Sequence, residues 1–397
     1  MGVKPLKILV LSFYFKPDLS AGSFRTTAFV DALRVKMPIH GQIVVLTTLP
    51  NRYSSFSVEA PAEELLPGLS IIRISLPPHQ SGMLDQAKSF ISFAREVLRQ
   101  TQGQKYDLVF ATSSRLMTAV LGAWVARKNR TKLYLDIRDI FVDTIKDVLP
   151  RHLAILTKPL FDLLERWAIN SADKVNLVSQ GFAEYFSGRY PRQHFSFHTN
   201  GIDDEFLSAP KLEAVVRMSG VLEVVYAGNL GEGQGLHAII PDLAKRMDGQ
   251  ICFKIIGDGG RKLALRVALN KADVDNVELL PPMSRTQLIA AYQAADVLFL
   301  HLNDYEAFKR VLPSKLFEYG AMGKPIWAGV SGYAADFVRA ELDNSAVFLP
   351  CDAADAERVF GQLRLQDQTR FRFRFESKFA RKKIVSELVK DVLKSIV

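Results

Sequence analysis

Hydrophobic positions along this chain fall into short, nearly unbroken runs separated by longer stretches with helical spacing. In the first half, LKILVLSFYF, GQIVVLTTLP, LSIIRISLP, YDLVFATSS, KLYLDIRD and VNLVSQG read as strands. Runs this short and apolar suit strands covered on both faces. Between them, GSFRTTAFVDALRV, MLDQAKSFISFAREVLRQ, RLMTAVLGAWVARKN and LTKPLFDLLERWAINSADK read as helices. The second of these places Leu84, Ala87, Ile91, Ala94 and Leu98 on one helical face. In the fourth, Pro159 is expected to break or start the helix.

The rhythm restarts after residue 220. LEVVYAGNLG, ICFKIIGDGG, VELLPPM, VLFLHL, PIWAGV and AVFLP are strand candidates, each followed by a helical stretch. Strands alternating with helices imply parallel sheets with helices on both faces. The fold expected is therefore α/β, with two doubly wound Rossmann-like domains in tandem. The break is expected near residues 201–220, giving domains 1–205 and 206–379. The last helix, about 380–397, sets Ile384, Leu388, Val392 and Ile396 four apart, with Val385, Val389 and Leu393 beside them. That apolar stripe needs a core to cover it, and it is expected to pack back on the first domain.

Length and composition narrow the class. At 397 residues with 48% hydrophobic and 23% charged, the chain is a globular mixture sized for two domains. Two cysteines, Cys252 and Cys351, argue against a disulfide framework and for a reducing compartment. The first apolar run, residues 8–15, is too short for a secretion signal and ends at Lys-Pro. No apolar run is long enough to span a bilayer. A cytoplasmic location follows as the expectation. The net charge is uneven: residues 1–200 hold 25 Lys and Arg against 16 Asp and Glu, a net of +9, while residues 201–397 hold 26 of each. One half is thus expected to meet something anionic, such as nucleic acid, anionic lipid or a phosphorylated acceptor.

Ligands of open parallel sheets bind beyond the carboxyl ends of the strands, so the residues there are the candidates. After the first strand, Gly22 permits close backbone approach at the start of a helix that Ser20 or Ser23 caps. After LEVVYA comes Gly228-Asn229-Leu230-Gly231-Glu232-Gly233-Gln234-Gly235, a glycine-rich turn into a helix suited to an anion, without the Gly-Lys-Ser/Thr ending of a Walker loop. Gly257-Asp258-Gly259-Gly260 repeats the arrangement without completing a dinucleotide fingerprint. In FKRVLPSKLFEYGAMGKPI, Pro313 and Ser314 mark a helix start. The amides of Ser314, Lys315 and Leu316 are expected to be unpaired donors at the positive helix end, joined by the Lys315 charge, with Glu318 one turn on. Diphosphate donors beside a carboxylate for ribose hydroxyls suit a nucleotide-diphosphate sugar. In the first half, KLYLDIRD delivers Asp136, Arg138 and Asp139 at a strand end, either as an acceptor-orienting carboxylate or as a loop-stabilising Arg–Asp pair. No Cys/His spacing suggests a metal site.

Together YAGNLGEGQGL, IIGDGG, AADVLFLHL and VLPSKLFEYGAMGKPI, with SADKVNLVSQ and TNGID before them, resemble the retaining glycosyltransferases of family 4. The closest likeness is to the branch that assembles bacterial surface polysaccharides. The resemblance implies the GT-B fold, two Rossmann-like domains with an interdomain cleft, the acceptor on the N-terminal domain and a UDP-linked, N-acetylated donor sugar on the C-terminal one. It implies donor contacts from Gly22, Gly228, Asn229, Gln234, Gly257, Arg310, Ser314, Lys315, Leu316 and Glu318. Catalytic roles fall to Asp139, Lys315 and Glu318. Glu318 matches the second glutamate of the family's pair. Arg310 stands where the first belongs, with Glu306 as a candidate substitute. No metal or cofactor is implied. The acceptor is a glycan or a polyprenyl-diphosphate-linked one, which together with the basic first half and Lys88, Arg95 and Arg99 on the helix at residues 83–100 suggests docking on the inner face of a membrane. The competing assignments are an epimerase acting on UDP-N-acetylglucosamine, a degenerate nucleotide-sugar-binding protein and a nucleic-acid binder. The last lacks any nucleic-acid motif, so no nucleic-acid partner is expected.

Overall fold

A computed structural model describes residues 5–51, 59–77, 83–113, 115–142, 151–210, 220–366 and 369–396. The chain divides into two compact units, 1–199 with 382–397, and 200–381.

The first unit is built on an eight-stranded sheet of β1 (Lys7–Leu11), β2 (Gln42–Thr48), β3 (Glu63–Leu66), β4 (Leu69–Ile74), β5 (Leu108–Ser113), β6 (Lys132–Ile137), β7 (Lys174–Leu177) and β8 (Phe195–Ser196), in the order β3-β4-β2-β1-β5-β6-β7-β8. Every pairing is parallel except β3 with β4. β1 lies centrally, with Ile8, Leu9, Val10 and Leu11 fully buried, as an all-apolar strand covered on both faces must be. The hydrophobic pattern does not reveal β3 and β8, because Glu63–Leu66 is short and exposed and Phe195–Ser196 is two residues long.

The helix Met83–Thr101 buries Ser89, Phe90, Phe93, Val97 and Thr101. The face expected to be apolar is turned partly outward: Ala87 is exposed and Ile91 is 49% exposed, Ala94 and Leu98 are half-buried, and Leu84's side chain lies outside the described residues. Phe90 and Phe93 pack on Phe13, with ring centroids 6.2 and 5.3 Å away. Two phenylalanines bury far more apolar area than two alanines, and they set the helix rotation. Pro159 does not bound its helix but sits inside Arg151–Ser171. The C-terminal helix expected at about 380–397 is the second of a pair, Phe373–Phe379 and Arg381–Lys394, separated at Ala380, which bridges to Ile202. Val385, Leu388, Val389 and Val392 of the second complete the core made by Ile8, Val10, Phe29 and Phe110 in the first unit.

The second unit carries a six-stranded, all-parallel sheet of β9 (Leu222–Asn229), β10 (Ile251–Asp258), β11 (Val277–Leu280), β12 (Val297–His301), β13 (Ile326–Gly329) and β14 (Ser345–Phe348), ordered β11-β10-β9-β12-β13-β14. Its core centres on Trp327, Phe253, Phe299 and Phe348. Division at 199/200 moves the expected 205/206 boundary by six residues. The reason is local: the Ile202 amide donates to Phe379 O at 2.8 Å, the Arg381 amide to Ile202 O at 2.9 Å, and Asp203 receives Arg285 and Arg381, all in the second unit.

Candidate functional site

In the second unit, β9 and β10 end side by side in glycine, with Gly228 opposite Gly257 and Asn229 opposite Asp258. Gly228 has φ +146° and Gly257 φ +151°, a backbone region that side chains rarely adopt. Space demands glycine as well. A Cβ on Gly257 would lie 1.9 Å from Gly228 O, and one on Gly228 would lie 2.1 Å from Lys315 Nζ. Lys315 therefore reaches over bare backbone at the carboxyl edge of the sheet, its Nζ 5.2 Å from the centre of the Tyr226 ring.

Lys315 is also the first residue of the helix Lys315–Met322. A helix N-terminus is the positive end of the dipole, so a cation there is unfavourable unless an anion joins it. Ser314 is the N-cap, but its side chain makes no capping bond. The Leu316 amide is not an open donor as expected. It donates to Pro313 O at 3.2 Å, and Phe317 N donates to Ser314 O at 3.1 Å, because the first turn closes tightly.

Glu318 is partly buried one turn on. It takes Arg285 Nη1 at 3.3 Å and Tyr292 Oη at 3.3 Å. Arg285 also pairs with Asp203, which pairs in turn with Arg381. A chain of alternating charge thus fixes Glu318, and none of Arg285, Tyr292 or Asp203 was foreseen. Their signal was absent because all three are far from Glu318 in sequence. Arg310 ends the short helix Glu306–Arg310 and is half-buried. Glu306 is exposed and paired with Lys309.

Asn229 and Gln234 bond each other, Nδ2 to Oε1 at 2.8 Å, and Gly231 N donates to the same oxygen at 3.3 Å. They brace the glycine turn. The turn is further pinned by Asn303 Nδ2 on Glu232 O at 3.1 Å and by His301, whose Nδ1 lies 2.7 Å from Gln234 O. His301 Nε2 accepts the Cys351 amide at 2.9 Å, so the proton sits on Nδ1 and the ring is neutral. Burial pushes this imidazole down to about 4 against the pull of the Gln234 carbonyl. The unfolded chain binds that proton near 6.5, so the stabilisation is complete above 6.5 and is lost as the pH falls toward 4. The loss amounts to about 3 kcal/mol. Thermal unfolding between pH 4 and 7 is expected to show a flatter acid slope for His301→Gln than for the wild-type chain, and parallel slopes would exclude this origin.

In the first unit, Ser20 caps the helix Ala21–Lys36 by accepting from Ser23 N at 3.1 Å. Gly22 leaves room for Arg138: a Cβ there would lie 2.3 Å from Nη1. Asp136 is not a free strand-end carboxylate. It is buried with Arg25, whose Nε and Nη2 reach its two oxygens at 2.9 and 2.8 Å, while Asn176 and Thr112 donate to it at 2.8 and 3.1 Å. Burial pushes Asp136 up, but the charge and hydrogen bonds of Arg25 and Asn176 hold it below the usual carboxylate range. Asp139, past the strand end, is exposed. Partial desolvation pushes its carboxyl up, with Arg138 opposing. An exposed carboxylate is well hydrated, so the side chain is ionised at neutral pH. Gly22, Arg138 and Asp139 thus gather in one unit, and Gly228, Asn229, Gln234, Gly257 and Lys315 in the other, with Glu318 a turn beyond.

Both units are doubly wound α/β domains with mainly parallel sheets, the architecture of the GT-B class. Residues 30–201 match the model of the glycosyl transferase 4-like domain, and residues 215–377 that of glycosyl transferases group 1. The chain belongs to the family 4 glycosyltransferases of GT-B fold and is a glycosyltransferase. A "Putative colanic acid biosynthesis glycosyl transferase WcaI" of Escherichia coli is 33% identical over 100 residues, a match that spans 25% of this chain and only 24% of that protein. Sucrose-phosphate synthase of Thermosynechococcus elongatus has a similar fold, with TM-score 0.71, 14% identity, and 98% of this chain and 100% of that one covered. HepE of Anabaena, in complex with UDP-glucose, matches with TM-score 0.68, 17% identity and the same coverage. Among the described residues no helix is long and apolar enough to cross a membrane.

Proposed function

We propose that the chain transfers a sugar, N-acetylated and carried on UDP, to a glycan or polyprenyl-diphosphate-linked acceptor in surface-polysaccharide assembly at the inner face of the membrane, with retained anomeric configuration. The observation that carries the donor assignment is Lys315, a cation at the positive end of a helix, lying over the bare backbone of Gly228. A diphosphate there would meet the Lys315 ammonium at the helix end, where an anion is favoured. Glu318, bonded at 3.3 Å to both its partners, keeps acceptor capacity for ribose hydroxyls. HepE, of similar fold, is known with UDP-glucose, and WcaI is described by its role in colanic acid biosynthesis.

In the step proposed, the bond from the anomeric carbon to the diphosphate oxygen breaks. The acceptor oxygen bonds to that carbon on the same face, and its proton passes to the departing diphosphate. Lys315 and the helix end stabilise the growing negative charge, so no metal or other cofactor is required. Asp139 accepts a hydrogen bond from the acceptor hydroxyl and orients it.

Product configuration read by NMR from a UDP-sugar and a short acceptor, in the presence of chelator, tests this. Retention with undiminished rate is expected. Inversion, or activity restored only by a divalent metal, would overturn the mechanism. If Asp139 acts ionised, kcat/KM falls as the pH drops into the range where its carboxyl takes up a proton. Asp139→Asn is then expected to remove that acid limb while keeping the melting temperature. An unchanged limb would remove Asp139 from the reaction.

A further inference from the structure

We infer that the first unit carries a bilayer-contacting surface on the helices Leu116–Asn129 and Arg151–Ser171, and that it seats on anionic lipid. Two of the three tryptophans of the chain meet there, Trp124 and Trp167, with ring centroids 6.4 Å apart. Trp124 is 55% exposed, Leu160 57% and Leu163 64%. Leu160, Leu163 and Trp167 follow helical spacing, so they form one stripe and not scattered surface residues. A single exposed leucine means little, but a contiguous stripe with tryptophan marks a contact surface.

The border of the stripe is basic. Arg127 and Lys128 lie three and four residues beyond Trp124, on its side of the helix, and Arg166 stands beside Trp167. All three are exposed, and among the described residues they form no ion pair. Among the described residues, Asp162 pairs with Arg189 at 2.6 Å, and Glu165 is buried against Tyr185 and Tyr190.

This chemistry selects the occupant. Tryptophan favours the headgroup level of a bilayer, leucines enter the acyl boundary, and Arg and Lys attract anionic headgroups. A second copy of this chain fits worse, because a twofold contact would set Arg127, Lys128 and Arg166 against their own likes. The inference rests on the proposed membrane-linked acceptor for its purpose. It moves the contact away from the helix Met83–Thr101, where Lys88, Arg95 and Arg99 line a groove of about 850 Å³ beside Ile91, with Glu63 and Glu96 interspersed.

The test uses the full chain with no donor or acceptor, so that its failure leaves the transfer reaction standing. Binding is measured by co-sedimentation with vesicles of phosphatidylglycerol and phosphatidylethanolamine, and with phosphatidylcholine alone. Brominated lipid serves as a quencher of tryptophan emission, and since Trp327 is fully buried the quenching reports Trp124 and Trp167. Expected are binding to the anionic vesicles only, weakening with salt, and quenching. Leu160→Ser with Leu163→Ser is expected to lower partitioning by at least about tenfold, at unchanged melting temperature and unchanged turnover of a water-soluble acceptor. Arg127→Gln with Lys128→Gln is expected to flatten the salt dependence. Lys88→Gln with Arg95→Gln is expected to change nothing. No preference for anionic vesicles, wild-type partitioning of the leucine pair, loss through the Lys88 and Arg95 pair instead, or a dimer that the leucine pair abolishes would each overturn the inference.

Discussion

Lys315→Ala is expected to lower kcat/KM for donor transfer by about 10² to 10³, while leaving thermal stability within about 1 kcal/mol of wild type. The two effects separate because they draw on different interactions. In the absence of donor, Lys315 is half-buried at the helix start, with its ammonium over the Tyr226 ring. Removing it changes little in the empty protein. With donor bound, the same charge faces a diphosphate whose negative charge grows as the sugar leaves. The loss is expected mainly in kcat, with a smaller rise in KM, because an interaction that strengthens in the transition state is the one removed. Lys315→Arg keeps the charge but is too large for the gap over Gly228, and is expected to recover only part of the rate. A variant that loses activity and stability together would show Lys315 to be a structural residue.

Removal of either partner of the Arg25–Asp136 pair is expected to cost about 3–5 kcal/mol, since each leaves the other charge buried and uncompensated. Both side chains are 1% exposed. Arg25 also donates to Thr199 O and His198 O, each at 2.7 Å, so it ties the start of the helix Ala21–Lys36 to the end of the first unit's main segment. Arg25→Met with Asp136→Leu is expected to cost at least about 1 kcal/mol less than the two single substitutions added together, because the orphaned charge disappears with its partner. Urea unfolding of the four proteins measures the difference. Simple additivity would mean that the carbonyl contacts of Arg25, and not its pairing with Asp136, hold this part of the fold.

The strands of both sheets were legible where they are central. Residues 8–11 and 224–227 are apolar throughout, a pattern that a strand covered on both faces requires and a loop or a surface helix does not. Edge strands escaped: Glu63–Leu66 presents two carboxylates and little burial, so nothing in its pattern distinguishes it from a loop. Helix existence was readable and helix rotation was not, as the outward turn of Ile91 shows, because rotation is decided by which partner surface takes Phe90 and Phe93. In the site, glycines and the helix start were visible as local chemistry. The partners of Glu318 were not, since Arg285 and Asp203 arrive from 33 and 115 positions away along the chain. Asp136 illustrates the same limit from the other side. Its strand-end position suggested function, while Arg25, 111 residues earlier, commits it to structure.

The central claim, a nucleoside-diphosphate site built from Gly228, Lys315 and Glu318, is tested most directly by calorimetric titration of the purified chain with UDP and other nucleotides and their sugars, alongside Lys315→Ala and Glu318→Ala. Micromolar binding of UDP that survives chelator and is lost in both variants is the predicted result. Binding of no nucleotide by a folded wild-type chain, or equal binding by the variants, would contradict it.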